Sequence, residues 1–106
     1  MYIITTSIYP SDKAAEVGKK YLEYLKKYPP DETYGAFVVP SAVKTTDCGI
    51  RNIAIREVKK GKLEEAIQGT ANRMAMFQSI VGFEYSIDVY LSVGEAMATI
   101  GMSLPK

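Results

Sequence analysis

Between Phe83 and Tyr90 every second residue carries a polar functional group, Glu84, Ser86, Asp88 and Tyr90, interleaved with Phe83, Tyr85, Ile87 and Val89. A strand turns alternate side chains to opposite faces, so this spacing puts two carboxylates, a hydroxyl and a phenol on one side. Ile50 to Val58 alternates in the same way through Ile53 and Ile55. If those isoleucines point the same way as Ile87 and Val89, Asn52 and Arg56 join the polar set. Within one partly desolvated cavity, Asp88 or Glu84 would accept a proton, Arg56 would stabilise an anion or enolate, and Tyr90 would donate. The candidate catalytic residues are therefore Arg56, Glu84, Asp88 and Tyr90. Residue types alone favour a plainer reading, a solvated sheet face or subunit contact whose ion pairs fix the strand register.

Composition narrows the chemistry further. The chain has no histidine, which removes the commonest general base, metal ligand and haem ligand together. Cys48 is the only cysteine, so neither an internal disulfide nor a cysteine-only zinc site is available. A lone thiol fits a reducing compartment. With no basic leader ahead of Tyr2 and no apolar stretch of membrane-spanning length, the expected location is cytoplasmic and no membrane partner is expected. Thirteen Lys and Arg against twelve Asp and Glu leave a net charge of +1, so no field draws in nucleic acid. Lys59-Lys60-Gly61-Lys62 runs into Glu64-Glu65 without interleaved aromatics and reads as a solvated turn. Cys48 has no resolving partner, Met74 and Met97 fall on core stripes, and no pattern specifies a cofactor or a metal. Tyr9, Tyr21, Tyr28, Tyr34 and Tyr85 could line an aromatic pocket, although packing is the simpler role.

The elements that must position these groups follow from local pattern. Tyr2 to Tyr9 has strand composition, and Pro10-Ser11 stops it with Ser11 offered as a helix N-cap. From Asp12, the residues Ala14, Val17, Gly18, Tyr21, Leu22, Leu25 and Tyr28 recur at helical spacing until Pro29-Pro30. Glu16 with Lys20 and Glu23 with Lys27 form i,i+4 pairs on the outer face. Tyr34 to Thr46 reads as a strand bent at Pro40, joined to Ile50 to Val58 through the turn Asp47-Cys48-Gly49. That three-residue loop places Lys44 opposite Asn52 and Thr45 opposite Arg51. A second helix carries Leu63, Ala66, Ile67, Thr70, Met74, Phe77 and Val81 and ends near Gly82, with Gly69 leaving room for a third helix or a partner chain. After the strand Phe83 to Tyr90, Ser92 and Glu95 match a capping box. The short helix that follows carries Val93, Met97 and Ile100, ends on Gly101, and should dock on something apolar.

Residues 1 to 106 thus read as one α+β domain in βαββαβ order, with a four-stranded antiparallel sheet, two helices on one face and a short C-terminal helix. This order, the bent second strand and the length resemble the ferredoxin-like chains that pair sheet to sheet as dimeric α+β barrels, over roughly residues 1 to 92. The resemblance implies a homodimer, with a site in the cavity between helices and sheet or on the sheet face. Members include cofactor-free monooxygenases, small lyases and isomerases; those needing a catalytic histidine are set aside. Two functions follow: a homo-oligomer that binds or transforms a small organic molecule, or a non-catalytic assembly module whose sheet face serves subunit contacts. Ile3, Phe37, Val39 or Tyr9 on the open face predicts a dimer or larger closed oligomer in either case.

Overall fold

The structure, a computed structural model, describes residues 1–29 and 31–105. Strand β1 spans Tyr2–Tyr9, helix α1 Ala14–Lys27, strands β2 and β3 Gly35–Thr46 and Gly49–Val58, helix α2 Leu63–Met74, strand β4 Glu84–Tyr90 and helix α3 Val93–Ala98. Two 3-10 turns, Ser11–Lys13 and Ala75–Phe77, add to this order. The strands form one sheet in the order β2-β3-β1-β4, and every neighbouring pair is antiparallel. Each helical crossover therefore joins two parallel strands that have one antiparallel strand between them. Helices α1 and α2 share a face of the sheet, since Val17, Phe77 and Ile80 pack into one core with Tyr9.

Register fixes which side chains reach that face. In β1 the residues Ile3, Thr5, Ser7 and Tyr9 are buried, while Ile4, Thr6 and Ile8 are half-buried on the other side. Ile3 pairs with Arg56 and Val89, Thr5 with Ala54 and Ile87, and Ser7 with Asn52 and Tyr85. Cross-strand partners share a face. Asn52, Ala54 and Arg56 therefore point toward the helices, and Ile53 and Ile55 point away. This reverses the orientation expected for β3. The hairpin also differs: Thr46 pairs with Gly49 and Lys44 with Arg51, leaving Asp47-Cys48 as a two-residue loop one residue shorter than expected. The bend at Pro40 is present as two register shifts, between Phe37 and Val39 and between Val39 and Ala42.

Several local signals act differently from expectation. Ser11 makes no capping hydrogen bond, because the chain first turns through Ser11–Lys13 before α1 begins. The inward line of α1 is buried Val17 followed by half-buried Tyr21, Tyr24 and the C-cap Tyr28, with Leu22 and Leu25 exposed. Its acids pair three residues back, Glu16 with Lys13 and Glu23 with Lys20, in place of the lysines four residues ahead. Pro30, half of the expected Pro-Pro stop, lies outside the described residues. Helix α2 tightens into a 3-10 turn after Met74, which buries Ile80 and leaves Val81 exposed. The notch at Gly69 is filled from within the chain, for an added Cβ would sit 3.0 Å from the Tyr34 ring.

The capping box that starts α3 is complete. Ser92 Oγ accepts from the Glu95 N–H, and Glu95 Oε1 accepts from the Ser92 N–H. The amino group of Met1, followed by Ser92, holds the Glu95 carboxyl down at about 2. At the other end Gly101 adopts a left-handed φ of 75°, with Met102 N–H donating to Met97 O and Gly101 N–H to Ala98 O. Within the single chain the apolar stripe stays largely open, with Met97 half-buried but Val93 64% and Ile100 71% exposed.

Candidate functional site

The four residues expected to converge lie on opposite sides of the sheet. Arg56 shares its face with Ile3 and Val89, whereas Glu84, Asp88 and Tyr90 pair with Ile8, Ile4 and Tyr2 on the helix-free side and are exposed. Arg56 therefore does not share a face of the sheet with either acid. On the open face, Asp88 accepts a hydrogen bond from Ser86 Oγ at 3.2 Å.

Arg56 instead enters a cavity of about 550 Å3 between the sheet and the two helices. Pockets of about 300 to 1,000 Å3 are the size that hold small organic ligands. The floor comes from alternate residues of β1, from Ile3 through Thr5 and Ser7 to Tyr9, a span of about 20 Å at ~3.3 Å per residue. Tyr21, Tyr24 and Tyr28 line it from α1, and Arg73 and Phe77 from α2 and the turn after it. Burial of Thr5 and Ser7 on this floor puts two hydroxyl groups where an apolar sheet face would be usual.

The two ends of the cavity differ in chemistry. At one end Tyr9 and Phe83 stack at 5.9 Å and Phe83 and Phe77 at 5.1 Å between ring centroids. At the other sit Arg56 and Arg73, only 2% and 8% exposed. The Arg56 guanidinium lies over Phe37, 4.2 Å from the ring centroid, and that of Arg73 lies 5.5 Å from the centroid of Tyr28. Arg56 Nη1 donates to the carbonyls of Asp31 and Gly35, both at 3.4 Å, longer than a strong hydrogen bond. Among the described residues neither arginine has a carboxylate within ion-pair distance.

Electrostatics follow from this crowding. Burial lowers the Arg56 guanidinium from its ordinary value, and the charge of Arg73 lowers it further. Burial pushes the phenols of Tyr9 and Tyr24 up, with Arg73 opposing the rise at Tyr24. At the rim, Asp31 is held below the usual carboxylate range, first by the Thr33 hydroxyl and then by the Thr33 N–H. Among the described residues, no group of three or more His, Cys, Asp or Glu is placed to hold a metal, and no helix is long and apolar enough to cross a membrane.

Neither Arg73 nor Tyr24 belongs to the apolar stripes that the sequence marks on α2 and α1. A signal for Arg73 was present: it stands three residues after Thr70 and four before Phe77, in step with the buried positions. Tyr24 likewise keeps helical step with Tyr21 and Tyr28.

No family model matches the sequence, and no curated protein matches it. The chain is similar to a solved structure titled "De novo designed protein Foldit4", with 14% identity, a TM-score of 0.45, and coverage of 85% of this chain and 96% of that one. A similarity of that size carries no argument about function.

Proposed function

We propose that this chain is a homo-oligomeric binding domain, ferredoxin-like in architecture, that holds a compact organic molecule in the cavity between helices and sheet. The observation that carries this reading is the cavity itself, which is ligand-sized and lined by aromatic side chains with a few buried polar groups. A fold selected only for stability would fill such a space, since interiors pack at crystal-like density. The lone exposed thiol of Cys48 supports a reducing, cytoplasmic setting.

A second copy of the chain accounts for the helix-free face. The chain exposes 7158 Å2, whereas a folded monomer of 11.7 kDa exposes roughly 5,900 Å2. Its radius of gyration of 15.5 Å likewise exceeds the roughly 13 Å of a compact chain this long. The open face carries Ile4, Ile8, Ile53 and Ile55 between a basic corner, Lys44 beside Arg51, and an acidic edge at Glu84 and Asp88. Like charges paired directly across a ladder destabilise it unless an anion meets them. A two-fold axis parallel to the strands between β3 and β1 sets the basic corner of each copy over the Glu84 end of the other. The assembly reading of the sequence thus describes the other side of the same sheet.

A neutral apolar fluorophore, N-phenyl-1-naphthylamine, tests the cavity. Its emission should rise with the wild-type chain and fall back with Ala54→Phe, which fills the floor; a signal indifferent to that substitution would point to surface adsorption and end the cavity reading. Light scattering tests the assembly: a mass twice 11.7 kDa for wild type and a shift toward 11.7 kDa for Arg51→Glu are expected. A wild-type monomer at micromolar concentration would sink the dimer.

A further inference from the structure

We propose that the molecule held in this cavity is a flat organic carboxylate, its head group clamped by Arg56 and Arg73 and its body lying along Thr5 and Ser7 toward Tyr9 and Phe83. The proposal rests on the cavity reading above and adds the charge, shape and orientation of the ligand. Two guanidinium groups are buried at one end of a largely apolar space, and among the described residues no carboxylate is close enough to pair with either. Buried charge without a counterion is costly, and two like charges in one pocket cost more. The nearest acids, Asp31 and Glu32, line the mouth but are exposed, and the Asp31 carboxylate is already taken by Thr33. An incoming anion supplies the missing partner.

The chemistry of the arginines selects the head group. Both guanidinium groups lie against aromatic rings, Arg56 at Phe37 and Arg73 at Tyr28, and a contact with a ring gives their N–H groups no conventional hydrogen-bond acceptor. Arg56 spends one nitrogen on two long bonds to carbonyls, which leaves most of its five donors free. A planar carboxylate presents two oxygens in the geometry a guanidinium fork matches. Beyond it the floor changes from charged to hydroxyl-bearing at Thr5 and Ser7, then to aromatic at Tyr9, a gradient that suits an elongated aromatic acid bearing an oxygen substituent along its length.

Titration calorimetry on the full chain with 2-naphthoate and its neutral isostere 2-naphthamide tests the assignment. Wild type should bind the acid at least about tenfold more tightly than the amide, as charge-assisted hydrogen bonds require. Arg56→Met and Arg73→Met should each bring the ratio to within about threefold while leaving amide affinity within about twofold. Arg73→Lys, which keeps the charge and loses the fork, should fall between and guards against a variant that fails to fold. Equal affinity of acid and amide for wild type, or an acid preference that survives both Met substitutions, overturns the carboxylate clamp while leaving the cavity reading standing. So does failure of naphthoate to bind while N-phenyl-1-naphthylamine does. Failure of all three compounds to bind removes the cavity reading, and this proposal with it.

Discussion

Gly35→Ala should be among the most damaging single-methyl additions in this chain, costing on the order of 3 to 5 kcal/mol. Gly35 opens β2 with φ at 137°, a region L side chains rarely occupy. An added Cβ would sit 1.8 Å from the carbonyl oxygen of Glu57, a backbone atom of the neighbouring strand that cannot step aside. Relief requires β2 to part from β3 where Gly35 pairs with Val58. The Gly35 carbonyl is also one of the two that accept from Arg56, so the same shift should loosen the cationic end of the cavity. A matched control is Gly18→Ala, in the interior of α1 with nothing within 4 Å of the new carbon. There alanine should add about 0.5 to 1 kcal/mol through helix propensity. Urea denaturation of both variants reads the contrast directly. A Gly35→Ala midpoint equal to wild type would show that β2 does not start where the ladder places it.

Phe77→Ala should cost about 3 to 5 kcal/mol, a large share of the 5 to 15 kcal/mol typical of a whole domain. The ring sits where α2 gives way to its 3-10 turn and touches both layers, lying 5.1 Å from Phe83 and 6.0 Å from Tyr24 between centroids. The core around it is small: Tyr9, Val17, Phe77 and Ile80 are its buried members. A domain with so few fully buried side chains has little to spare when one aromatic is removed. Phe77→Leu, which keeps most of the volume, should recover more than half of the loss in the same denaturation series. A cost below about 1 kcal/mol for alanine would mean that the cavity already extends beneath this ring and that the ring supports nothing.

Element order was readable from sequence almost throughout. Composition marked β1, alternation marked β4, the capping box marked α3, and Pro40 marked the bend of β2, because each is a local pattern with a local cause. The facing of β3 was not readable, and the reason bears on function. The rule that apolar side chains point toward the helices would turn Ile53 and Ile55 inward. Here the helix side of the central strands carries Thr5, Ser7, Asn52 and Arg56, and the open side carries Ile4, Ile8, Ile53 and Ile55. The rule fails where the space under the helices is left as a cavity and is not filled by side chains. Nothing within β3 could reveal this; the pairing of Tyr9 with Ile50 decides it, across more than forty residues of chain. Grouping Arg56 with Glu84, Asp88 and Tyr90 failed for that one reason. Ser11 and the end of α2 failed for smaller ones, since a 3-10 turn at a helix end is nearly invisible to a 3.6-residue pattern.

Strand β2 is the longest of the four and lies at the margin of the sheet, with Val38 and Val43 exposed along it. An uninterrupted strand of that length and composition would offer a template onto which further chains could add in register, the first step toward fibrous aggregation. Pro40 has no N–H to donate to any strand, and the register shifts on either side of Val39 interrupt the regular ladder. The feature that marks this strand as irregular is therefore of the kind that discourages edge-to-edge addition, and substituting Pro40 by a residue that straightens the strand would trade it for a more regular ladder.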